Sequence, residues 1–261
     1  MKPDYKNWMP KGMVQFGTIA TIILLLLFVI FGLSGVVSGP LQTVLFIVFL
    51  VGTVIGFFVS VWTILMYRAF SYDGKRQMSR QIIEGIAEHV KLPESGKGLD
   101  VGCGSGALII ACAKRNPQAS FVGIDRWGKE YASFNKPLCE SNAKAEGVDN
   151  VSFARGDATS LDFPDESFDA VVSNYVYHNI PGDRQGYLME TLRVLKKGGT
   201  FALHDIFSKL KYGDMSAFVE KLKSMGYEEV RLIDTTDGTF MSKSEANWMG
   251  MTGSALLIGR K

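Results

Sequence analysis

The chain has 261 residues, with 28 Lys and Arg against 26 Asp and Glu for a formal net charge of +2, and 47% of its residues are hydrophobic. That length suits one full-sized domain with an appendage, and the near-balanced charge, with no basic stripe interleaved with aromatics after Arg80, excludes nucleic acid as a partner. The three cysteines, Cys103, Cys112 and Cys139, fall in separated elements and are read as small packing residues, so neither a thiol relay nor a metal site is expected.

The appendage comes first. From Gly12 to Tyr67 there is no Asp, Glu, Lys or Arg, where an ordinary globular composition would place a charge about every four residues. "SGVVSGP", Ser34 to Pro40, divides the run into two apolar segments, Val14–Val37 and Leu41–Met66, each longer than the ~20 residues that cross a bilayer as a helix. A secretory signal would have one shorter apolar core and a small-residue cleavage site. Residues 1–67 therefore read as a two-helix membrane anchor, with a buried helical hairpin in a soluble core as the alternative. Lys2, Lys6 and Lys11 precede the first span and Arg68, Lys75, Arg76 and Arg80 follow the second, while the turn carries no charge. Both termini and everything after the hairpin are thus expected on the cytoplasmic side, where thiols stay reduced and no disulfide forms. Small residues recur every fourth position at Gly35–Gly39 and Gly52–Gly56–Ser60, a spacing that packs the hairpin against itself or makes an oligomer with another copy.

Residues 68–80 read as a linker or lid, and from residue 81 the pattern changes to β-rich runs alternating with amphipathic ones, which predicts an α/β fold, Rossmann-like and doubly wound, with a mainly parallel seven-stranded sheet. The strands are "KGLDVG", "SFVGID" (Ser120–Asp125), "VSFARGD" (Val151–Asp157), "FDAVVSN" (Phe168–Asn174), "GTFALHD" (Gly199–Asp205), "EEVRLID" (Glu228–Asp234) and "SALLIGR" (Ser254–Arg260). Helices are expected over Ala107–Arg115, Lys129–Glu146, Arg184–Val194 and Met215–Met225. Asp100, Asp125, Asp157, Asn174 and Asp205 each close a predicted strand, the edge at which such sheets bind ligands.

"GLDVGCGSGALII", Gly98 to Ile110, places glycines at 102, 104 and 106 between a strand and a helix. Glycine there tolerates positive φ and lets backbone N–H groups approach a ligand. An acid on the strand before the turn, Asp100, and another about 20 residues after it, Asp125, sharpen a signal that is weak alone. A dinucleotide-dependent oxidoreductase is the competitor, but its fingerprint places the third glycine one position later.

In these residues the sequence resembles the class I S-adenosylmethionine-dependent methyltransferases. "LDVGCGSG" is similar to their first motif, "VGID" to their ribose-binding acid, "RGDA" to their adenine loop, "FDAVVSNYVYHNI" to their fourth strand and active-site entrance, and "VLKKGGTFALHD" to their helix, turn and fifth strand. The resemblance runs in order from about Arg76 to Lys261. It implies S-adenosyl-L-methionine as cofactor, with Gly102, Gly104 and Gly106 facing its methionine end and Asp100 orienting the turn. Asp125 would accept from the ribose hydroxyls, Asp157 from the adenine amino group with the Ala158 N–H pairing to the ring, and Asn174 from the methionine amino group.

Arg126 and Trp127 are candidates to cover an adenine face, with a packing role at a helix start as the alternative for Trp127. In "NYVYHN", Tyr175, Tyr177 and His178 offer two phenols and an imidazole, and His178 is the first candidate for a base, since an imidazole suits proton removal near neutral pH; His204–Asp205 at the end of the fifth strand is the second option, with a structural role as its alternative. A histidine bonded into its own turn is the competing reading. Tyr175 would wall the cofactor, because an aromatic face favours a cationic methyl. "TFMSKSEANWMGM", Thr239 to Met251, is expected as a long connection whose Trp248, Met249 and Met251 meet an apolar ligand or the bilayer. The function expected is methyl transfer to a small, lipophilic or membrane-associated acceptor. The alternative is a membrane-tethered S-adenosylmethionine sensor or scaffold without turnover.

Overall fold

The computed structural model describes residues 2–128 and 133–261, and the chain forms two units, Asn7–Ser79 and Met1–Lys6 with Arg80–Lys261. In the first unit, α1 (Lys11–Leu27) runs on through a π-helical turn to Leu33, and α2 spans Pro40–Ala69. The first helix stops short of the expected Val37 because Gly35 and Gly39 take positive φ, and Pro40 then opens the second helix. Both helices are long and apolar enough to cross a membrane, and only 6% of the most apolar window of each is buried. That exposure is not that of a hairpin inside a soluble core.

Small residues make the seam between α1 and α2. A Cβ on Gly56 would lie 2.7 Å from Thr21 Oγ1, and one on Gly52 would touch Leu24 at 3.4 Å. Next to them the Thr21 and Ser60 hydroxyls bond at 2.9 Å. The Gly52–Gly56–Ser60 row thus packs the hairpin against itself, whereas Gly35 and Gly39 serve the turn.

The second unit is a seven-stranded sheet of β1 (Lys97–Val101), β2 (Ser120–Asp125), β3 (Val151–Arg155), β4 (Phe168–Asn174), β5 (Leu195–Ile206), β6 (Glu228–Asp234) and β7 (Ser254–Arg260), in the order β3-β2-β1-β4-β5-β7-β6. All neighbours are parallel except β7, which is antiparallel to both β5 and β6. Leu99, Val101, Val171, Phe201, Leu203 and Leu257 are buried in the middle of the sheet, the continuous apolar runs expected of strands covered on both faces. The chain order reverses between β1 and β4, so the crevice at their carboxyl ends is the place for a ligand.

The covering helices are α3 (Met78–Ala87), α4 (Ala107–Arg115), α5 (Lys136–Ala145), α6 (Arg184–Arg193), α7 (Lys209–Tyr212), α8 (Met215–Ser224) and α9 (Lys243–Met249). The linker expected over 68–80 already contains the start of α3, whose Ile82, Ile83 and Ile86 are buried. Asn135 caps α5 by accepting from the Leu138 N–H, and part of the helix expected from Lys129 lies outside the described residues. The connection from 239 to 251 is a correction. Ser242 and Glu245 form a capping box that starts α9, and Met249 and Met251 are buried, leaving Trp248, at 38% exposure, as the one aromatic or methionine of that stretch facing out.

Candidate functional site

At the end of β1, Gly102, Gly104 and Gly106 all take positive φ, of 77°, 55° and 83°. A Cβ on Gly102 would lie 2.3 Å from Val176 Cγ2, so the turn also needs glycine to pass under the loop that follows β4. The Gly102 and Cys103 N–H groups both donate to the Ile124 carbonyl, at 2.8 and 3.0 Å, which fastens the turn to β2. Asp125, at the end of β2, accepts from the Gly104 N–H through Oδ2 (2.9 Å) and from the Trp127 N–H through Oδ1 (2.7 Å). Each oxygen keeps a second lone pair for a ligand hydroxyl. Trp127, at φ 43°, lays its indole across the turn and donates from Nε1 to the Gly104 carbonyl at 3.0 Å. Arg126 is exposed, and its charge acts on Asp157.

Asp157 is itself exposed and closes a small turn, accepting from the Thr159 N–H (2.8 Å) and hydroxyl (2.7 Å). Those two bonds hold its carboxyl below the ordinary range. Ala158 packs against the core beside it.

Asp100 departs from its expected part. It is 1% exposed, and among the described residues neither carboxyl oxygen makes a hydrogen bond, so it does not orient the turn by direct bonding. Burial, with the charge of Asp125 beside it, pushes its carboxyl up to about 8. An orphaned buried acid and a glycine cradle that a Cβ would fill are what a cationic, hydroxyl-bearing cofactor needs, so these residues fit S-adenosylmethionine. The folded state then binds a proton at Asp100 that the unfolded chain sheds near pH 4, so this group's contribution to stability declines from about pH 4 to 8. The difference in Tm between Asp100→Asn and the parent should accordingly grow by about 7–15 °C between pH 5 and 8 in ligand-free calorimetry, the equivalent of ~4 kcal/mol in a domain of this size. A constant difference would place the Asp100 carboxyl at its ordinary value.

Past β4 the chain turns sharply. Tyr175 sits at φ 55°, its N–H donating to the His204 carbonyl at 2.8 Å, and a 3-10 turn follows over Tyr177–Asn179. The turn delivers His178 to Asp205 at the end of β5, with Nδ1 to Oδ1 at 2.5 Å. Asp205 is almost wholly buried and also accepts from the Tyr177, His178 and Ile206 N–H groups and the Tyr212 hydroxyl, at 2.9, 3.2, 2.7 and 2.9 Å. Burial raises its carboxyl, but the His178 hydrogen bond and charge, the Ile206 N–H and the Tyr212 hydroxyl outweigh that and leave it below the ordinary range. An ionised acceptor surrounded by donors requires the proton on His178 Nδ1, so in the neutral imidazole the lone pair lies on Nε2, which makes no hydrogen bond among the described residues. Bonding into the turn and availability as a base are therefore properties of the same histidine.

Two other expectations come out differently. Tyr177 is 1% exposed and its hydroxyl bonds Thr191 at 2.5 Å on the core side, so its phenol holds α6 to the sheet and is no base for an acceptor. Burial pushes that phenol up. Asn174 already accepts from His204 Nδ1 at 2.8 Å, leaving one lone pair on its carbonyl for a cofactor amine. His204 is buried and neutral, pushed down to about 3 by burial, with Nε2 3.1 Å from the Thr235 and Ser254 hydroxyls. Ser254 in turn bonds the Tyr175 hydroxyl at 2.6 Å, and the Tyr175 ring lies 4.6 Å from that of His204 and 5.9 Å from that of His178. This closed network fixes Tyr175 as a wall beside the dyad. The role of Asp205 as partner of His178 was missed: its place at a strand end was visible in the sequence, its pairing across 27 residues was not.

Residues 99–203 match a protein family described as a methyltransferase domain. Over 114 residues, 44% of each chain, the protein is 31% identical to a demethylmenaquinone methyltransferase of Roseiflexus castenholzii. Over 157 residues, 60% of this chain and 56% of the relative, it is 29% identical to a 27-O-demethylrifamycin SV methyltransferase of Amycolatopsis mediterranei. The chain thus spans about half the length of these curated relatives. Among solved structures, the 4+2 cyclase SpnF superposes with a TM-score of 0.55 at 20% identity over 73% of this chain and 85% of its own. That likeness shows the α/β fold, and because the neighbour is a cyclase the fold alone does not assign the reaction.

Proposed function

We propose that this chain, whose residues 99–203 match a methyltransferase domain, transfers a methyl group from S-adenosyl-L-methionine to a small, lipophilic acceptor at the cytoplasmic face of a membrane that its N-terminal hairpin spans. The observation that carries the reading is the cradle itself: three positive-φ glycines, a carboxylate clamped to the turn and a second carboxyl buried with no partner at hydrogen-bond distance, the Ile109 N–H acting on it only weakly. When bound, S-adenosylmethionine supplies a sulfonium methyl already activated for in-line transfer. Gly102, Gly104 and Gly106 would border its methionine end, Asp100 would meet positive charge there, Asn174 the amino group, Asp125 the ribose, and Asp157 with the Ala158 N–H the adenine. Trp127 and Arg126 flank that face of the site.

His178 Nε2 takes the proton that the acceptor's nucleophile sheds, and Asp205 holds the tautomer and stabilises the imidazolium that results. Tyr175 walls the space beside it and keeps water out. Relatives named for menaquinone and rifamycin substrates, and two exposed apolar helices, support a lipophilic acceptor gathered at a bilayer. Lysines and arginines flanking the hairpin, with none in its turn, support a cytoplasmic domain.

Inside-out vesicles carrying the full chain, given methyl-labelled cofactor from outside, should incorporate label into the lipid-soluble fraction, and sealed right-side-out vesicles should not. Incorporation by the right-side-out vesicles would overturn the topology. Cofactor binding without label in either preparation would favour a tethered sensor.

A further inference from the structure

We infer that the N-terminal segment, residues 2–6, is a strap that braces the cofactor turn, and that Asn142 is the positioning residue joining the two. The inference rests on reading that turn as an S-adenosylmethionine site. Asn142 lies on α5 and is 1% exposed. Its Oδ1 accepts from the Asp4 N–H at 2.7 Å, and its Nδ2 donates both to the Asp4 carbonyl and to the Ser105 carbonyl of the glycine turn, each at 3.0 Å. One buried amide thus spends both of its polar atoms on holding the strap and the turn together. Tyr5 is 5% exposed and its hydroxyl donates to Glu146 Oε1 at 3.3 Å, on the same face of the helix.

One turn before Asn142, Cys139 Sγ donates to the Gly104 carbonyl at 3.2 Å. Positions 139, 142 and 146 recur at the spacing of one helix face. That face carries the turn carbonyls at one end and the strap along its length. In a trans peptide the C=O and N–H groups point opposite ways, so carbonyls of Gly104 and Ser105 drawn toward α5 turn the Ser105 and Gly106 N–H groups away from it. The Gly106 N–H closes the turn on the Cys103 carbonyl at 2.7 Å.

A strap that leaves strips Asn142 of two of its three bonds in a buried place, where an amide does not stay unpaired. The side chain then reorients or admits water, and the Ser105 carbonyl loses its anchor point. Because the strap runs directly into the apolar hairpin, whose first helix starts at Lys11, tension or release at the membrane anchor reaches the cofactor turn through Asn142. The chemistry at His178 is untouched by this route, so the coupling acts on cofactor affinity.

The test uses the full-length chain in nanodiscs, with S-adenosylmethionine affinity from calorimetry and amide exchange at residues 102–106 measured without cofactor. Asp4→Pro removes the N–H given to Asn142, Asn142→Ala removes the amide, and Asp4→Ala keeps the backbone while removing a carboxylate that bonds only Lys6 among the described residues. Asp4→Pro and Asn142→Ala should each weaken binding about tenfold, the double variant no more than the stronger single one, and Asp4→Ala less than twofold. Exchange at 102–106 should quicken in the first two while the central strands stay protected. Multiplying effects in the double variant, or an Asp4→Pro chain with parental affinity and exchange, overturns the inference. A parent chain that binds no cofactor strikes the proposed function instead, and the exchange arm then still decides whether the strap braces the turn.

Discussion

Replacing His178 by alanine is expected to lower methyl transfer by about 10²–10⁴-fold while cofactor affinity stays within about twofold. Single-turnover rates beside calorimetric Kd separate the two. The expectation follows from where the imidazole is tied: Nδ1 to Asp205, the backbone N–H also to Asp205, and Nε2 to nothing among the described residues. In the proposed mechanism it acts on the acceptor, and among the described residues its side chain bonds no part of the cofactor turn. Asp205→Asn should cost nearly as much with His178 still present. The Oδ2 side of residue 205 is held by the Tyr177 N–H, the His178 N–H and the Tyr212 hydroxyl, so the new amide N–H would face Nδ1 and force the proton onto Nε2.

A general base works only in its unprotonated form, so the parent pH–rate profile should carry an acid limb. His178→Ala should lose that acid limb. The Asp205 carboxyl, held below its ordinary range, stays ionised throughout and adds no limb of its own there. A loss under about threefold would make His178 structural and leave positioning alone to drive transfer. Tyr175→Phe is then the substitution to measure, because the Tyr177 phenol is shut in the core.

Asp125→Ala should weaken S-adenosylmethionine binding by about 10–150-fold, the equivalent of the 1.5–3 kcal/mol typical of hydrogen bonds to a charged group. The carboxylate has two duties here. It accepts from the ribose hydroxyls in the proposed complex, and it holds the Gly104 and Trp127 N–H groups at 2.9 and 2.7 Å. Asp125→Asn separates them, since its one carbonyl can keep a single backbone bond and its N–H₂ cannot accept. The asparagine variant should fall between parent and alanine in affinity. Asp125→Ala should also lower the Asp100 carboxyl, because a neighbouring negative charge is one of the two causes that raise it. Unchanged affinity in calorimetry would remove Asp125 from the cofactor site.

Strand positions were legible in the sequence because the strands are short β-rich runs bounded by glycine, proline and acids, and the ends of β2, β4, β6 and β7 fall where the pattern put them, while β1 and β3 stop short, at Val101 and Arg155, and β5 begins earlier, at Leu195. The glycine turn was legible for the same local reason: its chemistry lies within nine consecutive residues from 98 to 106. So was the hairpin, since 56 residues without a charge, Gly12 to Tyr67, have few other uses. Residues 239–251 were misread because a seven-residue helix with Met249 and Met251 turned inward has too few turns to show a period.

Three of the site's decisive facts belong to tertiary structure alone. Asp205 and His178 meet across 27 residues, Asp4 and Asn142 across 138, and Tyr177 bonds Thr191 in the core while Tyr175 and His178 bond Ser254 and Asp205. Sequence periodicity reports which face of an element is apolar. Which polar groups then satisfy one another is set by the sheet order β3-β2-β1-β4-β5-β7-β6, which places the end of β5 beside the turn after β4. Burial without water makes each of those pairings obligatory, and no local pattern in the chain announces them.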